Sequence, residues 1–170
     1  MSIYERKAFF KERNNKLNAS TLLSQHFSLK EFIASAKAEE LKIDNSLPSA
    51  QRDNAAYTCA QLEKVREQLG NHPIIITSGW RNKVLNQAVG GSDTSDHATA
   101  RAVDIRCPKF GTPRQIAEAL SAAQIDFDQL ILECPNTPNP WVHVGFRKGA
   151  NRRQVLTKFA GDKTYYLGLK

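Results

Sequence analysis

Long apolar segments are absent from this sequence. None of its stretches reaches the roughly 18 consecutive apolar residues that are needed to cross a bilayer. The segment Met1–Lys7 is polar and charged, and it lacks the apolar core of a secretory signal. We therefore expect a soluble protein that is synthesised in the cytoplasm without a signal peptide and does not insert into membranes.

Cysteine is scarce as well. The three cysteines, Cys59, Cys107 and Cys134, are an odd number and show no C-x-x-C spacing. This pattern argues against a disulfide framework and against a cysteine-ligated zinc site, so reduced thiols are expected. Cys59 falls on the apolar face of a predicted helix, which favours a core position over a role as nucleophile.

A chain of 170 residues with 41% hydrophobic residues suits one globular domain. We expect a basic N-terminal arm at residues 1–20, one domain at residues 21–150 and a basic C-terminal tail at residues 151–170. The net charge of +7 is concentrated at the two ends of the chain, whereas the middle is slightly acidic. No nucleic-acid-binding motif accompanies this charge, so we do not expect a nucleic-acid partner.

Capping signals and hydrophobic periodicity predict an α+β fold. Capping boxes at Ser28–Glu31 and Thr112–Gln115 each start a helix, the first at about 29–37. A longer helix is predicted over 54–69, where apolar residues recur at helical spacing. Short β-branched or alternating runs predict strands at 74–77, 102–106, 129–133 and 141–146. We expect a small antiparallel sheet that packs against helices in a single domain.

Three side chains in this pattern form a donor set for a metal. His143 and Asp104 alternate with apolar neighbours on predicted strands, so they point away from the core. A carboxylate in an apolar strand is costly unless it is paired or bound to a metal. With His97 from the glycine-rich loop, they give the two nitrogens and one oxygen that suit Zn²⁺ with an open fourth position. The alternatives are structural histidines and an ion pair of Asp104 with Arg101 or Arg106.

Five motifs carry a resemblance to a known family. They are Ser78–Arg81, Asn86–Ser92, Ser95–His97, Arg101–Ile105 and Trp141–Val144. In this order they resemble the zinc D-Ala-D-Ala carboxypeptidase family, which includes phage endolysins that cut peptidoglycan stem peptides. Its metal-binding fold is shared with the Hedgehog signalling domain. The resemblance covers residues 26 to about 147 and implies Zn²⁺ as cofactor, with His97, Asp104 and His143 as its ligands.

Two positions depart from the family pattern. Asp96 replaces the usual glutamine before the first histidine, and Ala100 replaces the glycine three residues after that histidine. Alanine is small enough to fit the glycine position. Asp96 adds negative charge next to the metal and is expected to affect the pKa of His97. Neither change removes a ligand.

The resemblance also implies a general base upstream of the last histidine. Glu133 is the preferred candidate, because it ends the strand that precedes His143 and comes near it if the two strands are antiparallel neighbours. Asp128 and Asp126 are the fallback candidates, and an ordinary surface glutamate at a strand end is the alternative for Glu133.

Arg81 and Ser95 complete the predicted site. The guanidinium of Arg81 offers two parallel donors for a peptide carboxylate or a developing oxyanion, so we assign it to both catalysis and substrate binding. Ser95 is placed to hydrogen-bond the substrate backbone. A purely structural role for Arg81 at the turn after the strand stays open.

These residues predict a zinc metallopeptidase, a hydrolase that acts on peptidoglycan stem peptides. It would be either a D-Ala-D-Ala carboxypeptidase or an endopeptidase such as an L-Ala/D-Glu cutter. The alternative is a non-catalytic zinc-binding module that recognises cell wall or a protein partner. We expect a monomer that acts on the cell wall or in the periplasm, of phage or host origin. The basic residues Arg152 and Arg153 are expected to hold the anionic cell wall.

Overall fold

A computed structural model describes residues 21–170, and the predicted arm at residues 1–20 lies outside this range. The described residues form five α-helices and six β-strands. The helices are α1 (Leu29–Ile33), α2 (Ala36–Glu40), α3 (Arg52–Gln68), α4 (Lys83–Ala88) and α5 (Pro113–Ala122). The strands are β1 (Ile75–Ser78), β2 (Ala102–Arg106), β3 (Gln129–Glu133), β4 (Trp141–Gly145), β5 (Gln154–Lys158) and β6 (Tyr165–Leu167). None of these helices has the length and apolar character to cross a membrane.

Both predicted capping boxes are present. Ser28 caps α1 and Thr112 caps α5. In each case the side chain three positions later, Glu31 or Gln115, accepts a hydrogen bond from the backbone N–H of the cap residue. The helix predicted at 29–37 is instead two short helices, α1 and α2. Ser35 separates them, because its side chain accepts a hydrogen bond from the backbone N–H of Ala38 and starts a new helix.

Helix α3 buries one apolar face against the rest of the core. Ala55, Cys59, Leu62 and Val65 have no exposed surface, as their helical spacing predicts. Burial raises the pKa of the Cys59 thiol to about 12, so this cysteine is an inert core residue and not a nucleophile.

The six strands form one sheet in the order β1-β2-β4-β3-β5-β6. Every neighbouring pair is antiparallel except β3 and β5, which are parallel. The expected α+β domain is therefore confirmed, with a mixed sheet in place of a wholly antiparallel one. The parallel pair arises because the chain passes across the end of the sheet through residues 146–153 before it enters β5.

Residues 151–170 differ from the expected basic tail, because they supply β5 and β6 to the same sheet. The fully buried hydroxyl of Thr157 accepts from the backbone N–H of Lys170 and donates to the carbonyl of Gly168. Strand β5 has two adjacent apolar residues: Val155 packs against the core, and Leu156 lines the other face of the sheet.

The two faces of the sheet have different chemistry. One face carries Val103, Ile105, Val142, Val144, Leu130 and Leu132, all of which are buried in the core with the helices. Strand alternation turns the intervening residues to the other face. On that face Asp104, His143 and Ile131 lie opposite one another in register across β2, β4 and β3. The polar face is therefore where the candidate site must lie.

Candidate active site

A cleft of about 410 Å³ lies on the polar face of the sheet. Six residues that the sequence predicted for the site line it together, although they come from two loops and three strands. They are Arg81, Ser95, His97, Asp104, Glu133 and His143.

Three of these side chains converge on one point. His97 Nε2 lies 3.1 Å from His143 Nδ1 and 3.2 Å from Asp104 Oδ1, and His143 Nδ1 lies 2.9 Å from the same oxygen. All three residues are buried, with exposed fractions of 1% for His97, 7% for Asp104 and 9% for His143. Among residues 21–170, this is the group of histidines, cysteines and acids that could hold a metal ion.

The chemistry of this donor set fits Zn²⁺. Four ligands at about 2.0–2.1 Å in a tetrahedron lie roughly 3.3 Å apart, close to the separations of these three atoms. His97 Nδ1 lies 2.6 Å from the carbonyl oxygen of Gly79, which can only accept, so Nδ1 carries the proton. A neutral His97 then turns an unprotonated Nε2 towards the other two ligands, as a metal site requires.

The electrostatics of the cluster also suit a cation. Burial lowers the pKa of His97 and keeps its ring neutral, although Asp104 opposes this effect. Burial would raise the pKa of Asp104, but the charge and hydrogen bonds of His97 and His143 outweigh it and lower the pKa well below its ordinary value. Asp104 is therefore ionised at neutral pH in a buried position that both histidine rings face.

Gly79 and Asn45 position the first histidine. A Cβ on Gly79 would lie 2.3 Å from the carbonyl oxygen of Phe32, so only glycine permits this close backbone approach. The buried side chain of Asn45 donates to the carbonyls of Ile33 and Trp80, at 2.9 and 3.0 Å, and accepts from the backbone N–H of Asn82. These contacts fix the turn whose carbonyl orients His97. The role of Asn45 could not be predicted from the sequence, because an isolated asparagine in a loop belongs to no recognisable pattern.

Ala100 adopts the backbone conformation that favours glycine. It follows the 3₁₀ turn Asp96–Thr99 in the left-handed region, with φ of 56° and ψ of 31°. A residue with a Cβ destabilises the fold by about 1–2 kcal/mol in this conformation, and alanine has the smallest such side chain. The departure from the family pattern is therefore accommodated without displacing His97.

Asp96 binds Arg147 through a contact of 3.3 Å. The same arginine donates to Asp128 at 2.9 Å, and Arg152 also binds Asp128. These contacts tie the loop that carries His97 to the start of β3. The negative charge of Asp96 is thus paired with Arg147, and the lowered pKa of His97 has burial as its largest cause.

Two acids besides Asp104 line the cleft: Asp96, which binds Arg147, and Glu133 on β3. Glu133 pairs in register with Trp141 on β4, so it is a diagonal neighbour of His143 on the same face. Burial and the charge of Asp104 raise its pKa, whereas His143, Lys158 and Arg81 oppose the rise. The fallback candidates lie elsewhere: Asp128 is buried under its arginines, and Asp126 binds Asn151.

Arg81 and Ser95 lie at the rim of the cluster. Burial lowers the pKa of Arg81, and Asp104 and Glu133 counter this effect. Within residues 21–170, Arg81 Nε is buried without a hydrogen-bond partner. The side chain of Ser95 makes no capping bond to the 3₁₀ turn that follows it. Both residues line the cleft.

The lining residues that were not assigned from the sequence include Trp141, Lys158 and Tyr165. The motif around His143 contains Trp141, which could have been included because it alternates onto the face of that histidine. Lys158 and Tyr165 lie in the segment expected to be a tail, so nothing in the sequence connected them with the site.

Arg152 and Arg153, expected to hold the cell wall, have partners within the domain. Arg152 binds Asp128, and Arg153 donates to the carbonyls of Ile125 and Ala123 beyond the end of α5. The guanidinium of Arg153 also lies 4.9 Å from the ring centroid of Phe127. Both arginines therefore contribute to the fold itself.

Comparison with known proteins agrees with this site. Residues 25–145 match the sequence profile of the family described as Peptidase M15. Over 54 residues the chain is 35% identical to the zinc D-Ala-D-Ala carboxypeptidase of Streptomyces albus G, a match that covers 32% of this chain and 21% of that relative. Zinc, the metal in the name of that relative, is the cofactor that the His–Asp–His group fits. Because the family match extends over most of the chain, the protein belongs to the Peptidase M15 family.

Proposed function

We propose that this protein is a zinc-dependent peptidase that hydrolyses peptide bonds in peptidoglycan stem peptides. The observation that carries the proposal is the presence of the His–Asp–His group, Glu133 and Arg81 in one cleft. The similarity to a zinc D-Ala-D-Ala carboxypeptidase supports the substrate class. The bond cleaved would be D-Ala-D-Ala, as in a carboxypeptidase, or an internal bond, as in an endopeptidase.

His97, Asp104 and His143 would hold the metal and leave the cleft side of it open to water and substrate. Bound there, Zn²⁺ supplies Lewis-acid chemistry, since it polarises a carbonyl group and lowers the pKa of water to about 7. The hydrogen bond from His97 Nδ1 to Gly79 fixes one ligand in the required tautomer.

Glu133 would act as the general base. Its carboxylate accepts a proton from the attacking water and passes it to the amine that leaves. The raised pKa of Glu133 suits this role, because a carboxylate with a pKa nearer neutrality both accepts and releases a proton readily. Its position one diagonal step from His143 brings it to the side of the cluster that faces the cleft.

Arg81 would bind the carboxylate or the oxygen of the peptide group under attack. Arg81 lines the cleft beside the cluster, and its Nε has no hydrogen-bond partner among residues 21–170. Ser95 would orient the peptide backbone from the opposite loop. Both residues act by positioning charge and substrate without exchanging protons.

A non-catalytic zinc module is the second candidate. It would need the metal ligands but no base, so Glu133 in the cleft favours the enzyme. We further propose that the protein is synthesised in the cytoplasm and acts on the cell wall or in the periplasm. This is the role of an endolysin, and it is consistent with a phage origin of the protein.

The test is digestion of purified peptidoglycan with the zinc-loaded protein, followed by mass analysis of the released fragments. We expect fragments that identify one stem-peptide bond, and their loss after a chelator and their return with added zinc. Identical fragment profiles with and without chelator would overturn the metallopeptidase. Zinc binding without any fragments would favour the non-catalytic module.

A further inference from the structure

The cleft has a wall that lies outside the part of the chain matched to the family. Strands β5 and β6 follow the matched residues 25–145. In addition to the apolar Leu156, they supply two polar side chains to the cleft. These side chains are Lys158 at the end of β5 and Tyr165 at the start of β6. The two lie opposite each other in register.

Lys158 and Tyr165 extend a row of side chains that begins next to the metal cluster. Across the sheet, Trp141, Glu133, Lys158 and Tyr165 are successive register partners on β4, β3, β5 and β6. Neighbouring strands are about 4.8 Å apart, so Lys158 is about 10 Å from the strand that carries His143. An extended peptide that crosses the strands spans this distance in about three residues.

The ammonium group of Lys158 is held in the cleft without an acidic partner. It makes no salt bridge within residues 21–170, although Glu133 on the neighbouring strand is close enough for Lys158 to lower its pKa. Instead the ammonium lies 5.4 Å from the ring centroid of Tyr165, a cation–π contact that restricts where the charge sits. A positioned cation in a cleft attracts an anionic ligand group.

We propose that Lys158, held by Tyr165, binds a carboxylate of the substrate one to three residues from the scissile bond. This inference rests on the proposed function and makes the β5–β6 hairpin, residues 154–167, a determinant of specificity. Arg81, in contrast, follows β1, which lies at the opposite edge of the sheet from β6.

Stem peptides offer carboxylates of two kinds at this distance. One is the carboxylate at the peptide terminus, and the other is a free carboxylate on an internal acidic residue such as D-Glu. Both would bind an ammonium group in the same way, and both lose their charge when they are converted to amides. A matched set of peptides with either carboxylate amidated therefore distinguishes the two sources.

The experiment compares hydrolysis of these peptides by zinc-loaded full-length protein. For the wild type, we expect amidation of one of the two carboxylates to raise KM about tenfold, the cost of losing a charge-assisted hydrogen bond. The Lys158→Met variant should show the raised KM for the free carboxylate, a kcat that changes little and no further response to amidation. Lys158→Arg should keep the preference, because it keeps the charge.

Lys163→Met is the matched control, because Lys163 is an exposed lysine of the same hairpin that does not line the cleft. Thermal unfolding of each variant checks that the hairpin is still folded. A carboxylate preference that survives in Lys158→Met overturns the inference. An equal loss of kcat with every peptide would also overturn the inference, because Lys158 would then act on Glu133 and not on a substrate carboxylate.

A binding measurement separates this inference from the proposed function. Zinc-loaded Glu133→Gln protein, which should not cleave, is titrated with the free and amidated peptides. Tighter binding of a free carboxylate that disappears with Lys158→Met in the same background supports the inference even if no hydrolysis is found in the wild type. Equal binding, or no binding, of the free and amidated peptides overturns it.

Discussion

The ring nitrogen Nδ1 of His97 donates a hydrogen bond of 2.6 Å to the backbone carbonyl of Gly79, 18 positions earlier in the chain. This bond sets the tautomer and the orientation of the ring together, because only Nε2 is then left to face Asp104 and His143. The carbonyl can occupy this place because Gly79 packs directly on the backbone of Phe32, which accepts from the N–H of Trp80 at 2.7 Å. Gly79 thus determines the orientation of the candidate metal ligand His97, although it contributes no ligand atom itself.

Gly79→Ala should destabilise the fold and weaken zinc binding at the same time. The new Cβ would lie 2.3 Å from a backbone oxygen that cannot move alone, so we expect a loss of about 2–3 kcal/mol in the free energy of unfolding. Urea denaturation and zinc content after dialysis measure the two effects. Gly145→Ala is the stability control, because its Cβ would make only ordinary contacts at 3.7 Å or more. Equal stability of the two variants would contradict this account of the turn.

Asp104→Asn should reduce zinc affinity by at least about a hundredfold, since it replaces a charged ligand with a neutral amide at the centre of the cluster. Competition with a fluorescent chelator gives the affinity. The exposed loop residue Asp93 provides a control, Asp93→Asn, which should bind zinc as the wild type does. Unchanged affinity in Asp104→Asn would remove Asp104 from the ligand set.

Glu133→Gln should keep zinc and lose hydrolysis. The amide cannot accept the proton of water, so we expect kcat to fall by about 10²–10⁴-fold while zinc content stays at the wild-type level. Glu67→Gln, on the exposed side of α3, is the control and should retain full activity. Normal turnover in Glu133→Gln would assign the base to another residue.

The pH profile should report the raised pKa of Glu133. A base must be ionised, so activity falls as the pH drops through the pKa of Glu133, which burial raises above its ordinary value of 4.5. Removal of the opposing charge in Lys158→Met should move the acidic limb of kcat/KM to higher pH. The measurement is kcat/KM against pH for both proteins. An acidic limb that stays in place would show that the charge of Lys158 does not affect the base.

The free energy of unfolding should depend on pH through the ionisation of Asp128. Burial would raise its pKa, but the hydrogen bonds and charges of Arg152 and Arg147 outweigh this effect and lower it. The stabilisation is therefore complete above the ordinary pKa of about 4 and is lost as the pH falls through the lowered value. Asp128→Asn should lose about 1–3 kcal/mol at pH 7, a modest figure because both arginines are about half exposed, and the difference from wild type should shrink at pH 3. Urea denaturation at the two pH values checks this, and a difference that does not depend on pH would contradict it.

Much of the fold and the metal cluster could be predicted because their signals are local. Asp104 and His143 stand out as polar residues on strands with apolar alternation, and Ser28 and Thr112 mark helix starts within four residues. Lys158 could not be predicted in the same way. Its place depends on the parallel pairing of β5 with β3, a non-local contact, and β5 itself has no apolar alternation, because Val155 and Leu156 are adjacent.

That parallel pairing also sets when the site can exist during synthesis. Strand β3, which carries Glu133, lies between β4 and β5, so it remains an open sheet edge until residues 154–158 have left the ribosome. The cleft is then closed by residues made later still, at 165–167. A nascent chain that ends before β5 therefore has all three metal ligands but an unpaired strand beside them. The complete cleft therefore forms only late in synthesis. Chains truncated before β5 should be prone to aggregation and should lack Lys158 and Tyr165.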